Sequence, residues 1–460
     1  MRRTINRHAC KQFLTAATRP IVAATTALGL TQPVIAQENV PEQAQGLIIR
    51  SLDLRFSEEL EKPLPEVGAE TPEGPVQRAI PGEVQTRVSG GGTDGEQGAR
   101  VDGFTASVST RIKADDNVRR QATKGPGDIS LILAPAFELR GSFGKQQLSI
   151  GYDGTYSSFT DLNAENTISH QLRGESVWRY SKRLRGKIEA NYAVSYENRE
   201  DPTGRLANNV APDQFFERTV RAETTYGRRI AKAEIQSTLE HQSLRYQNNG
   251  QQGRDLDIYS IGLKGYYNAT PKLSAVAELR RQYYDYRVNS PLDGERITAL
   301  LGVRWEATAK TSGEFKVGRQ QRSYDDPTVS LGSIGNAWEG SLLWEPRSYS
   351  KVLLGWVQQS EEASLGGAGG TLTTRNYTMN WSHGFSEFLR MEIEVTFTRN
   401  NFGTRKDTQL KLAARLSYQI NDLFDIGVEF TRTVRESTDV TAEFEDNIIM
   451  FEFNARYPGQ

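Results

Sequence analysis

The sequence predicts an all-β fold, a closed antiparallel transmembrane β-barrel of about eighteen strands with short periplasmic turns and longer extracellular loops. Three observations point there. Long stretches alternate strictly, as in "MEIEVTFTRN" (391–400), where Met391, Ile393, Val395 and Phe397 share one side and Glu392, Glu394, Thr396 and Thr398 the other. Successive side chains leave opposite faces of a strand, whereas a helix would scatter those four apolar residues around its circumference. Short turn signals recur roughly every 36 to 46 residues, the length of a hairpin unit. Hydrophobic residues make up only 37% of the 460, a low share for a globular chain that must bury a core of this size.

From the N-terminus, residues 1–36 read as a cleaved export signal. Arg2, Arg3, Arg7, Lys11 and Arg19 form a basic start, "IVAATTALGL" (21–30) is a short apolar run, and Val34 and Ala36 are small residues ahead of a cut. Ten apolar residues are about half of what a spanning helix needs, which disfavours a membrane anchor. The signal contains Cys10, the only cysteine, so the mature chain has no thiol for a disulfide or a thiolate metal site. The signal also carries five bases and no acids, so a formal charge of −1 becomes −6 after cleavage. A mildly acidic chain lacks the basic surplus that a nucleic-acid binder shows.

Residues 37–100 differ in composition. "EKPLPEVGAETPEGPVQRAIPGEV" and "SGGGTDGEQGA" are rich in Pro, Gly and Glu, a mixture that cannot bury enough apolar surface to fold. A flexible periplasmic arm is expected, with "LIIRSLDLRFSEELE" (47–61) either a short docking element or a hydrophobic stretch of linker.

Residues 101–460 form the barrel. "IEANYAVSY", "ITALLGVRW", "LKLAARLSYQI" and "FDIGVEF" repeat the alternation of the opening stretch. Turns are expected near 143, 183, 229, 270, 311, 348, 385 and 422, with more polar connections such as "ENREDPTGRLANNVAPDQ" (197–214) and "SEEASLGGAGGTLTT" (360–374) between them. Eight turns join sixteen strands, and terminal strands at 103–112 and 447–457 raise the total to eighteen, with sixteen the alternative. An even number places both chain ends on the short-turn side, where a periplasmic arm belongs. A soluble sandwich would show strands of about five or six residues, whereas these run to about 11 to 14, long enough to cross a bilayer when tilted. With lipid against the apolar face, only half of each strand must be apolar, and closure leaves no orphan backbone edge in hydrocarbon.

The polar partner of each alternation should face the lumen: Glu189, Glu217, Arg221, Glu223, Arg304, Glu392, Glu394, Lys411, Arg415, Glu429, Glu452 and Arg456. Acids and bases are mixed, which argues against a single-ion filter and suits neutral hydrated cargo such as sugars; alternatively these charges pair across strands and fill the interior. Trp305, Trp344 and Trp381 near predicted turns fit an interfacial aromatic girdle. The cluster "RRQYYDYRVN" (280–289) offers Tyr283, Tyr284 and Tyr286 either to that girdle or to a sugar ring. Catalysis has little raw material: only His170, His241 and His383 remain after cleavage, His383 in a predicted turn, and neither GxSxG nor HExxH occurs. Neither an enzyme, nor a metal site, nor a cofactor is expected; an outer-membrane hydrolase is the remote alternative.

Signal, acidic arm, repeated hairpins and the final aromatic strand "FEFNARY" together resemble the outer-membrane β-barrel proteins of Gram-negative bacteria, most closely the β-barrel porin type 2 family. The resemblance covers about 101–457. It implies an outer-membrane channel associated with saccharide or exopolysaccharide passage, with a structural or adhesive barrel of blocked lumen as the alternative. The partners it implies are outer-membrane lipid and lipopolysaccharide, the barrel-assembly machinery and a polysaccharide export system. Phe451, Phe453 and Tyr457 on one face resemble the assembly signal, although "PGQ" follows Tyr457 where such chains commonly end on an aromatic residue.

Overall fold

The computed structural model describes residues 100–457 except 202–210, 228–230, 289, 309, 328–332, 363–370 and 404. The expected signal (1–36) and, apart from Arg100, the expected arm with its 47–61 stretch lie outside the described residues. From Arg100 onward the chain is strand after strand: β1 (Arg100–Asp115), β2 (Asp128–Phe143), β3 (Gln146–Phe159), β4 (Thr167–Arg179), β5 (Leu184–Tyr196), β6 (Gln214–Gly227), β7 (Ala233–Tyr246), β8 (Leu256–Thr270) and β9 (Leu273–Tyr286). The second half repeats the scheme with β10 (Gly294–Thr308), β11 (Thr311–Tyr324), β12 (Ser333–Arg347), β13 (Ser350–Glu362), β14 (Thr371–Gly384), β15 (Leu389–Asn401), β16 (Lys406–Gln419), β17 (Phe424–Ser437) and β18 (Phe444–Tyr457).

Each strand pairs antiparallel with its neighbours in sequence, and β1 pairs with β18 from Ala106 opposite Tyr457 to Asp115 opposite Ile448, so the 18-stranded sheet closes on itself. Closure gives every strand a hydrogen-bonding neighbour on both sides and leaves no free sheet edge, the condition for crossing hydrocarbon. The strands are 13 to 16 residues long, somewhat more than the alternating runs suggest, because polar residues at both ends continue the ladder beyond the apolar band. Tight connections follow β2, β4, β6, β8, β10, β12, β14 and β16, at the eight turn positions expected, while the longer connections lie at the other end. Both ends of the described barrel therefore sit on the short-turn rim.

The apolar faces point outward. Ile112, Leu131, Leu263, Leu279, Leu301 and Phe451 are all more than half exposed, the reverse of a water-soluble packing and the arrangement that lipid stabilises. On the short-turn rim the outer face is ringed by Trp178, Tyr180, Tyr226, Tyr267, Trp305, Trp344, Trp381, Tyr418 and Tyr457. Several tryptophans lie over a glycine directly across the ladder, Trp178 over Gly186, Trp305 over Gly313 and Trp356 over Gly340. A Cβ on Gly313 or Gly340 would fall 2.4 Å and 2.3 Å from the ring it now underlies.

Candidate functional site

All twelve residues expected to face the lumen sit on the inward face, set there by strand parity: Glu189 on β5, Glu217, Arg221 and Glu223 on β6, Arg304 on β10, Glu392 and Glu394 on β15, Lys411 and Arg415 on β16, Glu429 on β17, and Glu452 and Arg456 on β18. Most are engaged with opposite charges. Arg221 lies within 4 Å of Glu189, Glu223 and Glu240. Glu452 pairs with Arg111 across the β1–β18 closure at 3.3 Å and with Arg415 two strands away. Arg415 reaches it over Gly427, where a Cβ would come within 3.6 Å of both side chains. Arg456 pairs with Asp425. Arg304 stacks its guanidinium 3.9 Å from the Tyr266 ring centroid. Glu394 remains exposed to the interior.

A larger ionic cluster escaped the sequence reading. Lys316 on β11 is only 2% exposed and meets Glu339 at 2.9 Å and Glu278 at 2.6 Å. Arg280 bridges the same two acids at 2.7 Å each, and Lys264 holds Glu314 at 2.8 Å. These residues occupy the polar positions of their own alternations, so their face was legible. Their meeting was not, because Lys316 contacts Glu278 across the whole width of β10, where inward Gly302 leaves room.

The inward face is unevenly wetted. Ser130, Ile132, Ala134 and Ala136 on β2, and Leu300, Glu314, Lys316 and Ser341 on β10 to β12, are buried. Inward Arg173, Glu175, Arg185 and Glu189 on β4 and β5, and Glu394 on β15, keep solvent contact. The crowded seams lie about half the circumference apart, and at one of them β10 and β12 approach each other past β11. An interior crowded at two opposite seams keeps its solvent contact on the polar walls between them.

The long-loop end of the interior carries a second network. The start of the β5–β6 connection, 197–201, leaves the rim and projects inward. Glu200 meets Arg120 of the β1–β2 connection at 3.5 Å and Lys411 of β16 at 3.8 Å, and its carbonyl accepts from Arg435 of β17. Arg120 also holds Asp115 and Asp446 at 3.0 Å and 3.2 Å. Beside it, Glu165 takes Arg119 and Arg199 at 2.9 Å and 3.0 Å. Burial opposes ionisation of Glu200, but Lys411, Arg120 and Arg435 outweigh it and hold its carboxyl below the usual range. Three residues earlier burial prevails: the Glu197 carboxyl is pushed up although Arg254 opposes the shift from 2.5 Å.

The tyrosine cluster divides. Tyr283 faces outward, its hydroxyl donating to Asp325 at 2.9 Å, a position compatible with the girdle. Tyr284 and Tyr286 face inward and are buried with Ile258 and Leu292, so a girdle place is not theirs. Arg322 and Arg296 lie 3.9 Å and 5.4 Å from the Tyr284 centroid. One residue of offset in a strand reverses the face, and the alternation in "RRQYYDYRVN" carries too few aliphatic residues to reveal which parity is which. Phe451, Phe453 and Tyr457 share the outer face of β18. His170, His241 and His383 are also outward, against Tyr152, Tyr259 and the Trp381–Phe385 pair respectively; His383 lies in β14 and not in a turn.

The family model described as "Putative beta-barrel porin 2" matches residues 95–457. Among solved structures, OpdK of Pseudomonas aeruginosa with vanillate aligns over 78% of this chain and 100% of its own at 10% identity and a TM-score of 0.45. OccK2 (OpdF) of the same organism in complex with glucuronate covers 78% and 99% at 10% identity and 0.44, and OccAB3 of Acinetobacter baumannii 77% and 99% at 9% and 0.43. A search of the curated proteins finds no match. With a family match running from just before β1 to the last residue of β18, on a barrel that is greasy outside and polar within, this chain belongs to the outer-membrane β-barrel family "Putative beta-barrel porin 2".

Proposed function

We propose that the barrel is a passive channel for small hydrophilic solutes, with uncharged saccharides as the preferred cargo. The observation that carries this reading is the charge balance of the inward face. Acids and bases there are interspersed and largely paired, so the interior presents no strong field of one sign to concentrate or reject an ion. A hydrated neutral molecule meets hydrogen-bonding groups on both walls and no electrostatic barrier. The purified mature protein in a planar bilayer should give discrete conductance steps with weak ion selectivity. Vesicles carrying it should swell in isosmotic mono- or disaccharide. A bilayer that stays electrically silent would refute the channel.

The resemblance to barrels associated with exopolysaccharide supports a role in polysaccharide release, and comparing exported polymer from cells with and without the protein tests it. A second reading, a structural barrel with a blocked lumen, draws on the inward seat of Glu200; the same conductance measurement separates the two.

A further inference from the structure

The outer face is as unequal from rim to rim as the inner face is balanced. Among strand residues with described side chains, outward charge on the short-turn rim is confined to Arg347, which stands opposite Ser350 at the end of β12. The other outward charges lie toward the long-loop rim, on β6 to β18. Several neutralise one another there: Arg245 with Asp257 and Arg281 with Glu295, both at 2.5 Å, and Arg432 with Glu445 at 3.1 Å.

Arg375 on β14 and Arg399 on β15 do not. They are direct cross-strand partners, both exposed and both outward, and among the described residues neither has a carboxylate partner. Like charges directly opposite in a ladder repel, so this pairing costs stability unless an anion lies between the two guanidiniums. Their surroundings hold them ready for one. Arg375 Nε donates to Gln358 Oε1 at 2.6 Å, fixing one fork, and Arg399 lies 5.1 Å from the Phe397 centroid, fixing the other. One step toward the membrane centre is an aromatic shelf: Tyr377 contacts Trp338 and Phe397 at centroid distances of 5.7 Å and 6.1 Å.

We infer that Arg375 and Arg399 form a phosphate-binding site for a phosphorylated glycolipid of the outer leaflet. Paired guanidiniums match a phosphate through parallel charge-assisted hydrogen bonds, and the shelf of Trp338, Tyr377 and Phe397 receives the sugar ring or the first methylenes of an acyl chain. The vertical order of the site, phosphate contacts above and apolar rings below, is the order of those groups in such a lipid. The inference rests on the long-loop rim being extracellular and is independent of whether the lumen conducts.

The full mature protein, purified in detergent, is titrated with bisphosphorylated lipid A, with its dephosphorylated form and with inorganic phosphate, and bound molecules are counted by native mass spectrometry. One lipid A should bind at this site, with the dephosphorylated form and the combined Arg375→Gln, Arg399→Gln variant each weaker by roughly tenfold or more, the loss of about one charge-assisted contact. Arg319→Gln, which removes an outward arginine of β11 at similar depth, should bind as the parent does. Heat-modifiable migration on gels establishes that each variant is a folded barrel. Equal lipid binding by the double variant and the parent overturns the site. Equal binding of the dephosphorylated lipid overturns the phosphate contact, and inorganic phosphate binding as tightly as lipid A overturns the lipid as its occupant.

Discussion

Glu200 concentrates the electrostatics of the mouth into one side chain. Its carboxyl is held below the usual range by Lys411, Arg120 and Arg435 against the cost of burial. A depressed value means that the stabilisation is present above the unfolded-state pKa and is lost as pH falls through the lower folded one. The inward seat of 197–201 should therefore persist at pH 5 to 6 and loosen only in stronger acid, read as a rise in single-channel conductance across an acid titration. Glu200→Gln should raise conductance at neutral pH and remove that acid-dependent rise. It leaves cations short of a partner, with a local cost of about 1 to 3 kcal/mol. Tyr284 makes a different kind of prediction. Its ring is enclosed by Arg322, Arg296 and Leu292, so Tyr284→Ala should lower stability by about 3 kcal/mol, in line with other large-to-small core changes. Measured by urea titration in vesicles, a loss of that size with unchanged sugar flux would assign the ring to packing and not to cargo.

At the scale of the strand, parity determines what a substitution does. Leu412 and Lys411 are neighbours on β16, yet one faces lipid and the other the lumen. Leu412→Arg should destabilise the barrel by about 2 to 4 kcal/mol, the depth-dependent cost of a cation at the lipid face near the midplane. Lys411→Ala should cost less, about 1 kcal/mol through the lost Glu200 contact, and alter conductance as well. Equal stability losses for the two in the same vesicle-folding assay would contradict the assigned faces. Glycines add a constraint that alternation does not display. A Cβ on Gly302 would lie 2.0 Å from the Phe315 carbonyl, so Gly302→Ala must displace β11 and with it the seat of Lys316.

The whole molecule depends on one contact between sequence-distant strands, the ladder joining β1 to β18. Val108 and Ala455 are partners there, both on the outer face. Antiparallel partners have Cα atoms about 4.5 to 5.5 Å apart, within the range a disulfide spans. The expected mature chain has no cysteine of its own, so Val108→Cys with Ala455→Cys should oxidise to a single internal cross-link, visible as altered migration after heat denaturation without reductant, and conductance should survive it. Failure to cross-link in the folded protein would mean that the barrel is open or closed in another register.

Much of this protein was legible in one dimension. Period-two alternation is a property of neighbouring residues, so the strands, their two faces, the eight turns, the number eighteen and the inward position of residues such as Glu189, Arg304 and Glu452 follow from local order. Parity failed only where aliphatic markers were sparse, at Tyr284 and Tyr286. The tertiary structure alone decided which inward charges meet: Lys316 with Glu278 across β10, Arg415 with Glu452 across β17, and Glu200 with Arg435, 235 residues away. It also decided that Arg375 stands opposite Arg399. Those encounters depend on ladder register, on the curvature of a closed sheet and on the space that a glycine leaves between neighbouring strands, and none of the three is written in the spacing of residues along a single strand.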